Sequence, residues 1–179
     1  MHRNEPVSAI DQLKAQARCL QRAVEAHEPA AVQRVRRHPE LAALEGPALV
    51  EQVQRRHCLH LVARDHGFRD WPHARAVLLA PMQVEDFGSL LYPDGASAHW
   101  NIWSASYDEA RQIRSDHGGF LLAYRHQFLI VDAHFIDTLG LSPEDPDWTA
   151  IERDWVRPRD PDARARLYAK LIRARSQAA

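Results

Sequence analysis

An apolar stripe at helical spacing, close to the start of the chain, is the feature that most limits how this protein folds. Its members are separated by three or four residues, so they share one face of a helix. The stripe consists of Ile10, Leu13, Ala17, Leu20 and Val24. Ser8 precedes it as a capping residue, and Asp11 follows three residues later as in a capping box. The pattern therefore predicts a helix at the beginning of the chain.

Proline and glycine divide the next segment into further helices. Pro29 suits the first position of a short second helix, and Pro39 ends that helix. Apolar spacing predicts a long third helix over residues 46–66. Asp70 is a suitable cap for a fourth helix. Residues 8–80 are therefore predicted to form four helices with short connections.

Strand patterns begin after residue 80. Alternation and β-branched or aromatic residues predict strands at residues 87–92, 99–104, 120–124 and 128–132. A capping box from Ser106 to Glu109 predicts a helix between the second and third of these strands. The fold class is therefore α+β, with an N-terminal four-helix segment followed by a small antiparallel sheet with flanking helices. Two domains are expected, a helical one over residues 1–80 and a mixed one over residues 81–179.

Composition indicates a globular protein and excludes some partners. Hydrophobic residues make up 45% of the chain and charged residues 26%, as in ordinary folded domains. No apolar run approaches the roughly 20 residues that cross a bilayer, and the first residues do not resemble a signal peptide, so we expect a cytoplasmic protein without a membrane. Cys19 and Cys58 are expected to be reduced. The formal charge of −1 gives no general basis for binding nucleic acid.

The string LVARDHGFRDWP at residues 61–72 resembles part of the helical leader that precedes ankyrin repeats in some bacterial proteins. The resemblance covers about residues 8–80, and it implies a scaffold or interaction role without catalytic residues. In physical terms, Gly67 ends one helix, Phe68 and Trp71 fill the corner, and Pro72 starts the next helix. No ankyrin-like repeat of about 33 residues follows. The second part is similar to an uncharacterised bacterial domain, from which no function is carried over.

The eleven histidines raise the possibility of a metal site. His57 and His60 lie three residues apart on a predicted helix, so both rings could reach one ion. Two ligands do not make a site, however, and histidines on a helix more often serve packing or the surface. We therefore expect neither a metal nor another cofactor.

The second part combines polar groups on strands with many aromatic side chains. Asp132 and His134 share one side of a strand or its end, and an Asp–His pair binds metal or moves protons in many sites. Trp103 is predicted to lie beside His99 in a strand where one of the aromatic residues must face outwards. The expected ligand-binding residues are therefore His99, Trp103, Asp132 and His134. The alternative is that these residues line a solvated sheet face.

Two classes of function are compatible with these features. The favoured one is a non-catalytic recognition or regulatory module that binds a protein or a small molecule. The competing one is a metal-assisted hydrolase that uses His99, Asp132 and His134. A G-x-S-x-G motif and a phosphate-binding glycine loop are both absent from the sequence, which gives nucleophilic catalysis and a P-loop no support.

Overall fold

A computed structural model describes residues 7–79, 84–92, 96 and 101–178. Within this part of the chain, the elements are α1 (Ala9–Glu25), α2 (Pro29–Val35), a 3₁₀ helix (Pro39–Leu41), α3 (Gly46–Gln52), α4 (Arg55–Asp65), α5 (Trp71–Leu79), β1 (Ile102–Ser104), α6 (Tyr107–His117), β2 (Phe120–Tyr124), β3 (Gln127–Val131), α7 (Ala133–Thr138), α8 (Pro146–Ala150) and α9 (Pro161–Ala178). The predicted α+β class is confirmed. None of the described helices is both long and apolar enough to span a membrane.

The first two helices begin where their sequence signals predict. The Ser8 hydroxyl accepts a hydrogen bond from the Asp11 backbone N–H at 3.1 Å, and the whole predicted stripe of α1 is buried. Pro29 is the first residue of α2. The position costs little there, because the first amide of a helix has no intrahelical acceptor.

The long third helix was a wrong prediction, because the chain breaks between Gln52 and Arg55. Val53 and Gln54 adopt extended conformations, and the Gln54 side chain caps the new helix α4. His57 completes a reciprocal capping box, since its Nδ1 accepts the Gln54 backbone N–H at 3.1 Å. The His57 ring thereby satisfies the Gln54 amide, which a continuous helix would have bonded to one of its own carbonyls, while the His57 amide also bonds to the Gln54 carbonyl at 3.0 Å.

The corner between α4 and α5 is built as the sequence indicates. Gly67 has a φ of 84°, in the left-handed region that suits glycine after a helix. Phe68 is buried beneath the corner, and Trp71 is half-buried against the same core. The Asp70 carboxylate accepts the His73 backbone N–H at 2.7 Å, which confirms the predicted cap of α5.

Among the described residues, the sheet has three antiparallel strands in the order β1-β3-β2. The predicted strand over residues 87–92 is wrong: its residues form an irregular segment that contacts the β2–β3 turn through two backbone hydrogen bonds. Gly88, with a φ of 69°, and a Tyr92-to-Ser89 turn bond prevent an extended ladder. Residues 93–95 and 97–100 lie outside the described residues, and they include His99 and the first two residues of the strand predicted at 99–104.

The two faces of the sheet pack on different partners. Leu122, Leu129 and Val131 face the main core. Leu121 and Ile130 face a smaller cluster, where Ala110 of α6 covers them. Trp103 is paired with Leu129, so it belongs to the face of the main core, whereas Ile102 belongs to the face of α6, as alternation predicts.

One hydrophobic cluster includes residues from both sides of residue 80. Helix α1 packs on α9, where the Gln12 side chain donates a hydrogen bond to the Ala169 carbonyl at 3.0 Å. Shared packing does not decide whether either part folds alone, so the expected division into two domains stays a prediction.

Candidate functional site

A groove of about 600 Å³ lies where the α4–α5 corner meets the turn between β2 and β3. We call it the arginine groove, because three arginines line it: Arg64, Arg69 and Arg125. The remaining walls come from the α4–α5 corner, the segment 86–89 and His126. The site therefore joins residues from both halves of the chain.

The floor of the arginine groove is a close contact between two backbone segments. The Gly67 carbonyl accepts hydrogen bonds from the backbone N–H and the side-chain hydroxyl of Ser89, at 2.8 and 3.3 Å. A Cβ at Gly88 would lie only 2.7 Å from the Gly67 carbonyl oxygen, and a Cβ at Gly67 would collide with Ser89. Both glycines also have positive φ values. Only glycine allows the two segments to meet this closely.

His73 fixes one wall of the arginine groove. Its Nδ1 accepts the Arg69 backbone N–H at 2.9 Å, so its Nε2 must carry the proton that it donates to the Asp86 carbonyl at 2.7 Å. The imidazole is buried and uses both nitrogens. His73 therefore joins the start of α5 to the segment 86–89 and is not available as a proton acceptor.

The charges of the arginine groove are unbalanced. Arg69 pairs with Asp70 at 3.3 Å, but Arg64 and Arg125 form no ion pair with any residue in the described ranges. Asp86 is the single carboxylate among the groove-lining residues, and it accepts the Gly88 backbone N–H at 2.9 Å. Two arginines therefore line the groove without a carboxylate partner among the described residues, which favours an anionic ligand.

A cluster of three aromatic side chains, Tyr92, Trp103 and Tyr124, adjoins the arginine groove. The ring centroids lie 5.1 Å apart for Tyr92 and Trp103 and 5.8 Å apart for Trp103 and Tyr124. The Arg125 guanidinium lies over the Tyr124 ring, 5.3 Å from its centroid. Trp103 is 39% exposed, whereas Tyr92 and Tyr124 are half-buried. Arg125 thus connects this aromatic cluster to the groove.

A second group of titratable residues lies on the helical part, where ligand atoms of His38, Glu40 and His57 come within 4.8 Å of one another. His60 stands beside His38, with ring centroids 4.8 Å apart. Burial holds the pKa of His38 below its ordinary value, and the hydrogen bond from His57 lowers the pKa of Glu40. The sequence spacing indicated only the two neighbouring histidines His57 and His60, whereas His38 and Glu40 also lie beside them in the fold.

The hydrogen bonds of this group oppose a metal ion. A histidine binds metal through a lone pair while its other nitrogen carries the proton. Here the Nδ1 atoms of His57 and His38 accept backbone N–H groups at 3.1 and 3.3 Å, so these nitrogens are occupied by the backbone. His57 Nε2 lies 3.1 Å from the Glu40 carboxylate and 3.1 Å from Arg56 Nε, and Arg56 also binds Glu40 at 2.8 Å. The arrangement serves helix capping.

A larger cavity of about 740 Å³ lies between α1, α2 and α9. Two of its charged lining residues are paired with each other, since the Arg34 guanidinium holds the Asp65 carboxylate through two hydrogen bonds of 2.6 and 3.0 Å. This cavity is the larger of the two, but the arginine groove has arginines without a carboxylate partner among the described residues. We therefore consider the groove the better candidate for a ligand site.

The expected ligand-binding residues lie at different places. Trp103 belongs to the aromatic cluster, and His99 is outside the described residues. Asp132 is the cap of α7 and accepts the Phe135 backbone N–H at 2.8 Å, while His134 is exposed in the first turn of that helix. Trp103 pairs with Leu129, three positions before Asp132, so their backbones are about 10 Å apart along the strand.

Sequence reasoning did not find Arg64 and Arg125. Arg64 is within the string at residues 61–72, where it contributes only to the resemblance to the ankyrin leader. Arg125 is in a turn with a φ of 52°, and this glycine-free turn was the one signal of an unusual position. Comparisons of the chain with protein-family models, with curated proteins and with solved structures gave no match.

Proposed function

We propose that this protein is a non-catalytic recognition module that binds an anionic small molecule in the arginine groove. One observation carries the proposal: Arg64 and Arg125 line the same groove, and neither has a carboxylate partner among the described residues. Guanidinium groups bind phosphate and carboxylate oxygens through paired hydrogen bonds, so an anion would satisfy both. A groove volume of about 600 Å³ is within the range of small-molecule sites.

The rigidity of the groove supports recognition. The Gly67–Ser89 contact and the two hydrogen bonds of His73 hold the walls in place before a ligand arrives. A preformed site loses less conformational entropy on binding.

Binding without catalysis is proposed because the residues expected to perform hydrolysis are used elsewhere in the fold. The Asp132 carboxylate caps α7 by accepting the Phe135 backbone N–H at 2.8 Å. His73, the buried histidine of the groove, uses both ring nitrogens in structural hydrogen bonds. A cytoplasmic location fits the proposal, because Cys19 and Cys58 are both free thiols.

Calorimetric titration of the full chain with inorganic pyrophosphate tests the proposal. We expect saturable binding that weakens by about 10-fold or more in Arg64→Gln and in Arg125→Gln, because each loses a charge-assisted hydrogen bond of about 1.5–3 kcal/mol. Arg18→Gln is the matched control, since Arg18 is exposed on α1 and does not line the groove. Equal affinities in all three variants and the wild type would contradict the proposal.

A further inference from the structure

We infer that the ligand of the arginine groove carries a planar aromatic ring beside its anionic group, as a nucleotide does, and that the ring binds the aromatic cluster. This inference rests on the proposed function, because it extends the same site. It adds a second contact, made by Trp103, and a ligand class, a nucleoside phosphate.

Arg125 provides the physical connection between the two surfaces. Its guanidinium lies 5.3 Å from the centroid of the Tyr124 ring, and the Tyr124 ring lies 5.8 Å from that of Trp103. The backbone of Arg125 is held from both sides, since it accepts the Phe87 N–H at 2.9 Å and donates to the Gly88 carbonyl at 2.7 Å. The Tyr124 ring therefore contacts both the Arg125 guanidinium, which would bind a ligand oxygen, and the Trp103 indole, which would bind the ligand ring.

The pairing of β1 with β3 explains why Trp103 can receive a ring. Leu129, its partner in β3, is fully buried, but Trp103 keeps 39% of its surface exposed at the edge strand β1. Its ring planes are tilted by 67° from Tyr92 and by 85° from Tyr124, so both contacts are edge-to-face. The exposed part of the indole is therefore open to a further aromatic ring.

The charge of the site selects against other aromatic ligands. The arginine groove favours an anion, since three arginines and one carboxylate line it. An aromatic ligand without a negative group would leave Arg64 and Arg125 unpaired. A nucleoside phosphate fits both surfaces, since the base stacks on aromatic side chains while the phosphate binds guanidinium groups.

Adenosine monophosphate and ribose 5-phosphate form a matched pair of probes, because they differ only in the base. In calorimetric titrations of the full chain, we expect the nucleotide to bind about 10-fold tighter than the sugar phosphate. Trp103→Ala should remove this difference and leave the affinity for ribose 5-phosphate unchanged. Leu79→Ala, which removes another exposed apolar side chain, should leave both affinities unchanged.

The outcomes separate this inference from the proposed function. Equal affinities of the two probes for the wild-type protein would overturn the nucleotide class while pyrophosphate binding still supports the groove. An equal loss of both probes in Trp103→Ala would also overturn it, because Trp103 would then support the fold and not the base. Absence of binding by pyrophosphate and by both probes would overturn both proposals.

Discussion

His66 shows how strongly a single buried side chain couples this fold to pH. Its Nε2 donates to the Gln16 side-chain oxygen at 2.9 Å, and the Gln16 amide donates to the Ser176 hydroxyl at 2.7 Å. The residue thereby joins the end of α4 to α1 and α9. Burial lowers the pKa of His66 from 6.5 to about 4, because the charged imidazolium loses its hydration.

The depressed pKa predicts a loss of stability in acid. Well above pH 6.5 neither state protonates His66, so the free energy of unfolding is unaffected. Between pH 6.5 and about 4 the unfolded chain binds a proton that the folded chain does not, so the folded state is destabilised, by roughly 3 kcal/mol at most. Urea denaturation at several pH values should show this loss in the wild type and a smaller one in His66→Gln. Parallel curves for the two proteins would contradict a buried neutral His66.

Capping residues were the residues most readily predicted from the sequence. Ser8, Asp70 and Ser106 each accept the backbone hydrogen bond that their position indicates. A cap is a local interaction, so three or four consecutive residues contain the information. The role of Gly88 was not predictable in this way, because its requirement for glycine comes from Gly67, which is distant in the sequence.

Apolar periodicity gave a wrong helix prediction at the junction of α3 and α4. Apolar residues continue at helical spacing across it, which is why one long helix was predicted. The Gln54–His57 capping box starts a new helix instead. Both residues are visible in the sequence, but glutamine and histidine are less common in these positions than serine and glutamate.

Gln54→Ala distinguishes the two structures by the sign of its effect. If Gln54 caps α4, alanine removes the side-chain acceptor of the His57 amide, which keeps only its 3.0 Å bond to the Gln54 carbonyl, and the free energy of unfolding falls by about 0.5–1 kcal/mol. If the helix were continuous, alanine would stabilise it, because alanine has the higher helix propensity. Chemical denaturation measures the change, with Gln52→Ala in the last turn of α3 as the control. A more stable Gln54→Ala protein would disprove the break.

The strands were predictable to different degrees. The strands at residues 120–124 and 127–131 follow directly from apolar runs on either side of a short turn, and the structure confirms them within one residue. Residues 87–92 also include aromatic and leucine residues, but the adjacent Leu90 and Leu91 are both buried, and the segment pairs with no strand of the described part of the chain. Composition alone cannot distinguish such an irregular buried segment from a strand, because both place apolar residues in a core.

At the scale of the whole molecule, the arginine groove exists because two distant segments meet. Arg64 ends up near Arg125 only after the α4–α5 corner has packed against the segment 86–89 and the β2–β3 turn. No local pattern contains that contact, so the expected site was placed among residues close to the sheet instead. The aromatic side chain of that expected site, Trp103, does adjoin the groove through Tyr124 and Arg125.

The most direct test of the groove as an anion site is to observe its arginines during binding. Side-chain Nε–H resonances of arginine, recorded by ¹H–¹⁵N correlation spectroscopy and assigned with the Arg64→Gln and Arg125→Gln variants, report each guanidinium separately. On titration with pyrophosphate, we predict saturable shifts for Arg64 and Arg125 with one shared affinity, and no shift for Arg18. Unchanged resonances of Arg64 and Arg125, or uniform shifts of all exposed arginines, would contradict the proposed site.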